Sequence, residues 1–307
     1  MKPLRCWIFT EGRLGHLNQV RGLAQRLSAK TETAFHYLDL SQQRFRYSGK
    51  QGLLDQFAAE QFPDWIIGAG SNCHRPMIWT RFITGCPSVV LSSPSWPLCL
   101  FDAACIPAHD EPPHRKNILL TQGVLNTMVP VVEGRNPSTG LILLGGINKH
   151  FEWDDARIAA QVRAVVEASP DISWTISNSP RSPASLMPSL GTVLKHARNV
   201  ELLSYEQTHK DWLKTQLSQV GRVWVSCDSV SMVFECITSA TPTGLLKLQP
   251  LGDSRVTRSM AQVEAKGLVR VWNERDKGTM PSADIKIWEA DRAADWLIEQ
   301  TLQKKRS

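Results

Sequence analysis

Residues 222–248 read RVWVSCDSVSMVFECITSATPTGLLKL. Val223, Trp224 and Val225 form a buried strand, Ser226 to Ser229 a turn of small polar residues, and the following run a helix. Leu245, Leu246 and Leu248 then make a second apolar strand. A strand that feeds a helix through small residues aims free backbone N–H groups and the positive end of the helix dipole at the open end of a sheet, where phosphates bind. Ser231 and Glu235, four apart, share one face of that helix, while Val230, Val233 and Ile237 point to the core. A carboxylate one turn beyond the helix start would repel a phosphate but would accept hydrogen bonds from ribose hydroxyls. The alternative is that Asp228 or Ser229 simply caps the helix.

The same strand–turn–helix grammar extends in both directions. Apolar segments recur at Leu4–Thr10, Phe35–Leu40, Trp65–Gly70, Ser88–Leu91, Ala103–Pro107 and Asn117–Gln122. After the polar stretch at 133–138 the pattern restarts with Leu141–Leu144, Trp174–Ser177, Val200–Leu203, Val223–Ser226, Thr243–Leu248 and Leu268–Trp272. Strands alternating with helices predict parallel sheets. The restart predicts an α/β chain of two Rossmann-like domains facing a cleft, spanning residues 1–135 and 136–307, with a final helix around 289–304 packing back on the first.

Length agrees, since 307 residues suit two domains of ordinary size. The opening MKPLRCWIFTEGRLGH breaks its apolar run too early for a signal peptide, and no run is long enough to span a bilayer, so a cytoplasmic protein is expected. Seven cysteines without a C-x-x-C pair suit neither a disulfide framework nor zinc. A formal charge of +6 favours anionic ligands or an anionic membrane surface. The basic residues are dispersed, except for the tail Lys304-Lys305-Arg306, and the tryptophans follow no repeat, so nucleic acid is not expected as a partner.

Each half opens with a strand and a glycine turn: Thr10-Glu11-Gly12-Arg13-Leu14-Gly15-His16, and Leu144-Gly145-Gly146-Ile147-Asn148-Lys149-His150. Neither these turns nor Gly68-Ala69-Gly70 fits a dinucleotide or Walker fingerprint. His16 begins a helix where its imidazole can take a proton from a hydroxyl; Asn18 and Gln19 follow as residues that can orient an acceptor. Lys149, His150, Arg181, Arg255 and Arg258 fall after strand ends and can neutralise a diphosphate leaving group. Glu152 and Asp154 could hold magnesium, but acids at a helix start meet the dipole favourably, and that explanation is preferred, leaving no metal site.

With GRLGHLNQ, LLGGINKHFEWDD, SNSPRSP and SCDSVSMVFE in this order, the chain resembles the family named for the plant mitochondrial fission protein Elm, which has many bacterial members. That family is similar in layout to GT-B glycosyltransferases. The resemblance implies a nucleotide-sugar donor held mainly by the C-terminal domain as substrate, with no cofactor. It implies an acceptor approached through the N-terminal domain and no essential metal. The leading expectation built on it is bacterial surface-glycan or lipopolysaccharide synthesis, with a lipid-linked or lipopolysaccharide acceptor and peripheral inner-membrane contact. By motif position, Gly15 and His16 correspond to the acceptor loop, Glu235 to the carboxylate that holds donor ribose, and Ser229 and Ser231 to the diphosphate-binding helix start; from their places at the glycine turns and strand ends, Gly12, Asn18 and Gln19 join the acceptor side and Gly145, Gly146, Lys149, Arg181 and Asp228 the donor side. The chain departs from the family in carrying Glu11 where aspartate is common and Asn178-Ser179-Pro180-Arg181 where the family is arginine-rich. The plant namesake acts by binding a dynamin-related protein, so a non-catalytic interaction protein is the competing expectation and a nucleotide-sugar epimerase a third.

Overall fold

The computed structural model describes residues 3–273, 280 and 287–304. Lys305 and Arg306 of the basic tail lie outside the described residues. The chain forms two compact units, one of residues 1–127 with 288–307, the other of residues 128–287.

The first unit runs β1 (Leu4–Thr10), α1 (Leu14–Lys30), β2 (Thr33–Asp39), α2 (Lys50–Gln56), β3 (Trp65–Ala69), α3 (Ser71–Thr84), β4 (Ser88–Leu91), β5 (Ala103–Pro107) and β6 (Ile118–Thr121). Among the described residues these strands form one parallel six-stranded sheet in the order β2-β1-β3-β4-β5-β6. Alternation along the strands builds a core on each face. Cys6, Ile8, Trp65 and Ile67 pack with Val20, Leu23 and Leu27 of α1, whereas Trp7, Phe9 and Ile66 pack with Leu53, Cys73 and Met77 under α2 and α3. Gly85 ends α3 in the left-handed region, at φ 71°.

The second unit runs β7 (Asn136–Leu143), β8 (Phe151–Glu152), α4 (Asp155–Glu167), β9 (Ser173–Ser177), α5 (Leu186–Val193), β10 (Val200–Leu203), α6 (Trp212–Gln219), β11 (Val220–Ser226), α7 (Val230–Thr238), β12 (Thr243–Leu246), β13 (Gln249–Pro250), α8 (Arg255–Ala265) and β14 (Arg270–Val271). Its main sheet is also parallel, in the order β10-β9-β7-β11-β12-β14. Two tryptophans lie over glycines of the paired strand: Trp174 is opposite Gly140 and Trp224 opposite Gly244. A Cβ at either glycine would come within 2.3 Å of the indole.

The polar stretch at 133–138 is partly strand, because Asn136 already pairs with Val220 at the start of β7, across a register shift from Arg222. The residues before it are anchored on the second unit. The Arg135 guanidinium donates to the carbonyls of Val131, Val220, Leu217 and Ser239, the first two at 3.0 Å. Met128 joins the second unit's core. The apolar run expected to reach Leu248 leaves the sheet at Leu246, since Gln249 and Pro250 pair antiparallel with Glu152 and Phe151. The final helix, α9 (Glu289–Lys304), lies on the first unit: Ala293 and Leu297 pack in the α1-side core, and Asp291 pairs with Arg26 at 2.7 Å.

Candidate functional site

In each sheet the winding direction reverses beside the first strand of its unit, between β1 and β3 in one and between β7 and β11 in the other. At such a reversal the loops leaving the two strands diverge to opposite faces and open a crevice beyond their carboxyl ends. Both crevices carry the residues singled out above.

At the first, Glu11 follows β1 and its carboxylate is buried, with 1% of its side chain exposed. Its Oε1 lies 2.7 Å from His16 Nδ1 and its Oε2 accepts the N–H of Asn72 at 3.0 Å, at the start of α3. Helix α1 starts at Leu14 rather than His16, because Leu17 N–H already bonds Arg13 O; His16 is therefore in the first turn, half-buried. A carboxylate oxygen against Nδ1 favours the tautomer with hydrogen there and leaves the Nε2 lone pair for a substrate proton. Gly70 makes the arrangement possible. At φ 99° it suits glycine, and a Cβ would fall 2.3 Å from Glu11 Cδ and 2.5 Å from His16 Nδ1.

His74, one turn along α3, is buried, and its Nδ1 lies 3.0 Å from Ser95 Oγ. Burial holds its imidazole below the ordinary range, only partly offset by the Glu11 charge. Gly12 is in the left-handed region, at φ 77°, and Gly15 is exposed in α1. Asn18 is half-buried and partnered. Gln19 is buried and accepts from Ser92 Oγ at 2.8 Å, so its amide is engaged in joining α1 to the loop after β4.

At the second crevice, Asp228 organises the two loops. Ser226 Oγ donates to its Oδ1 at 2.5 Å, Gly146 N–H to its Oδ2 at 3.1 Å and Arg181 Nη2 to the same oxygen at 3.0 Å. Gly145 N–H in turn donates to Ser226 Oγ at 2.7 Å. Burial raises the Asp228 carboxyl from its ordinary value, opposed by these hydrogen bonds and the Arg181 charge. Neither glycine tolerates a side chain, since a Cβ would come within 2.1 Å of the Asp228 carboxylate at Gly145 and within 2.0 Å of Arg181 O at Gly146. Asn148 Oδ1 accepts from the N–H groups of His150 and Phe151 and fixes the rest of the loop, leaving Lys149 exposed.

Ser229 is the N-cap of α7, yet its side chain makes no capping hydrogen bond, and Ser231 is exposed in the first turn. The helix start thus offers two hydroxyls beside backbone donors. Glu235 is 8% exposed, more enclosed than the open ribose contact its motif suggests, and it is partnered. Asp154 caps α4 by accepting from Ala156 and Arg157 N–H, as preferred for that acid pair. Arg258 pairs with Asp253 at the start of α8, and Arg255 is also partnered.

The geometry adds three residues that sequence reasoning missed in these roles: Glu11 as the partner of His16, Gly70 as the space for both, and His74 beside Ser95. Glu11 carried a signal, standing five residues before His16 across a glycine turn. Gly70 and His74 depend on the parallel pairing of β3 with β1 and carried none.

A family model described as Mitochondrial fission ELM1 matches residues 14–301. No curated protein sequence matches the chain. Among solved structures, a UDP-GlcNAc 2-epimerase from Neisseria meningitidis is similar, with TM-score 0.62 and 12% identity over 98% of this chain and 100% of that one. MurG of Acinetobacter baumannii is similar with TM-score 0.53 and 12% identity, over 97% and 92%. The glycotransferase of kitacinnamycin is similar with TM-score 0.54 and 14% identity, over 98% and 100%. The fold is of the GT-B type, two Rossmann-like units each built on a parallel sheet.

Proposed function

This chain belongs to the mitochondrial fission ELM1 family, and from that premise we propose that it is a glycosyltransferase using a nucleotide-sugar donor in bacterial surface-glycan or lipopolysaccharide synthesis. The observation that carries the reading is that each unit has its own part of the chemistry, the first a shielded carboxylate–imidazole dyad and the second an open helix start beside a rigid glycine loop.

The donor's diphosphate rests against the α7 start, held by backbone N–H groups, Ser229 and Ser231, with Gly145 and Gly146 allowing close approach. Lys149 supplies positive charge, and Arg181 does so while tied to Asp228. Glu235 serves the ribose. At the other crevice His16 Nε2 takes the proton of the acceptor hydroxyl, while Glu11 holds Nδ1–H and steadies the imidazolium that forms. The acceptor oxygen bonds to the anomeric carbon as its bond to the diphosphate breaks, and the nucleoside diphosphate leaves with the electron pair. Positioning and leaving-group stabilisation carry most of the rate. A lipid-linked or lipopolysaccharide acceptor brings the protein to the inner membrane from the cytoplasm.

The test has two parts. A thermal-shift screen against UDP-, GDP-, CMP- and ADP-sugars should find one that raises the melting point; a ligand at a hundredfold excess over its Kd stabilises by about 2.7 kcal/mol. Nucleotide release should then require added acceptor. Release without acceptor, or an isomerised sugar, supports the epimerase, and failure to bind any nucleotide supports the non-catalytic interaction protein.

A further inference from the structure

We propose that the outer face of α3, with the loop that precedes α2, docks on an anionic lipid surface. Phe82 is 78% exposed, the most exposed large apolar residue among those described. A phenylalanine held in water gains nothing for the fold. On α3 it shares a stripe with exposed Arg75 and with the rims of Ile78 and Trp79, which are half-buried against the core, at seven, four and three residues before it, while Cys73, Met77 and Thr80 face inward.

The loop supplies the rest of the face. Tyr47, 49% exposed, meets the Trp79 ring edge-on at 5.6 Å, and the Arg75 guanidinium lies 5.8 Å from the Tyr47 ring centre. Trp79 Nε1 donates to Ser48 O at 3.1 Å, which fixes the loop to the helix. Arg44, Arg46 and Lys50 are exposed in the same loop and at the start of α2. Arg81 is matched by Asp102 and is not counted. The acids around this face are Asp55, bonded to Gln51 on α2, Asp39, bonded to Ser41 where the loop begins, and Asp64, whose charge is felt at Cys86 just past α3, with Glu60 beyond α2.

Aromatic rings with polar edges and an unshielded phenyl, interleaved with cations, match the boundary between headgroups and acyl chains. Each cation near an anionic surface adds about fivefold to binding and the phenyl adds apolar burial. A soluble polyanion would use the cations and leave Phe82 in water, which is why a bilayer fits better. The proposal rests on the membrane contact of that reading and names its surface; the loop that precedes α2 begins beside the first crevice, where a Cβ on Gly12 would fall 2.7 Å from Ser41 Oγ, and lipid binding is tested without nucleotide so that the two can fail separately.

The test is flotation of the full chain with vesicles of phosphatidylcholine, with and without phosphatidylglycerol, at low and high salt and without nucleotide. Binding should require phosphatidylglycerol and weaken with salt. Phe82→Ser should lower it about tenfold, and Arg75→Glu with Lys50→Glu at least as much, while Lys195→Glu, on the second unit, changes it little. Both sets lie on the surface, so melting points near wild type are expected, and the charge variant decides should Phe82→Ser fold poorly. Binding untouched by both sets, or binding to heparin without binding to vesicles, would overturn the proposal. A failed nucleotide screen would leave it standing.

Discussion

Gly70 shows how much at this site rests on one missing atom. Its φ of 99° already disfavours a side chain, and a Cβ would displace the Glu11 carboxylate from His16. Gly70→Ala should therefore cost about 1–3 kcal/mol of stability and most of the turnover, read by melting and by transfer rate. If the imidazole is the base, His16→Asn should leave donor affinity intact and lower turnover roughly a hundredfold. Glu11→Gln separates orientation from charge: the amide can still accept from Asn72 N–H, but the tautomer preference at Nδ1 is lost, and the pH–rate profile should shift as turnover falls. An unchanged profile would remove Glu11 from the proton path. The burial of Glu235 alters what its substitution reports. Glu235→Ala should lower stability as well as affinity, whereas Glu235→Gln, keeping the shape, should weaken donor binding by roughly tenfold with little change in melting.

At the scale of elements, the second crevice is two loops tied by one carboxylate. Removing it in Asp228→Ala leaves Gly146 N–H and Arg181 unpaired and frees the glycine loop, so nucleotide affinity should fall together with about 1–3 kcal/mol of stability. Isothermal titration beside a denaturant melt checks both. The strand–turn–helix units were readable because apolar runs, small turns and helical spacing are local signals. The seam at α7 was legible for that reason, down to Ser229 and Ser231. What was not legible depends on neighbours in the sheet. Gln19 looks like a polar cleft residue until β4 places Ser92 over it, and Asp228 looks like a cap until β7 delivers Gly146 to its carboxylate. The anchoring of Arg135 on the second unit is equally non-local, since it bonds to carbonyls of residues up to 104 positions away.

Across the whole molecule, the basic balance and the neutral interior pull stability in a definite direction with pH. Burial pushes the thiols of Cys73, Cys105 and Cys227 from the ordinary value of 9.0 up to about 12. In the folded state these thiols stay neutral where in the unfolded chain they ionise. The stability they confer is thus fully present below pH 9 and is lost as pH rises from about 9 towards 12. Cys105 is the cleanest probe, because it lies on β5, paired on both sides by β4 and β6, 1% exposed and away from both crevices. The melting point should fall steadily above pH 9, and Cys105→Ala should flatten that slope while costing about 1 kcal/mol of packing at neutral pH. The same burial sets reactivity: Cys99, which is exposed, should react first with a thiol reagent, and Cys6, Cys105 and Cys236 only at the rate of unfolding. Equal alkaline slopes in Cys105→Ala and wild type would mean that other groups carry the loss, and rapid native-state modification of Cys105 would mean that the first sheet opens far more readily than its packing implies.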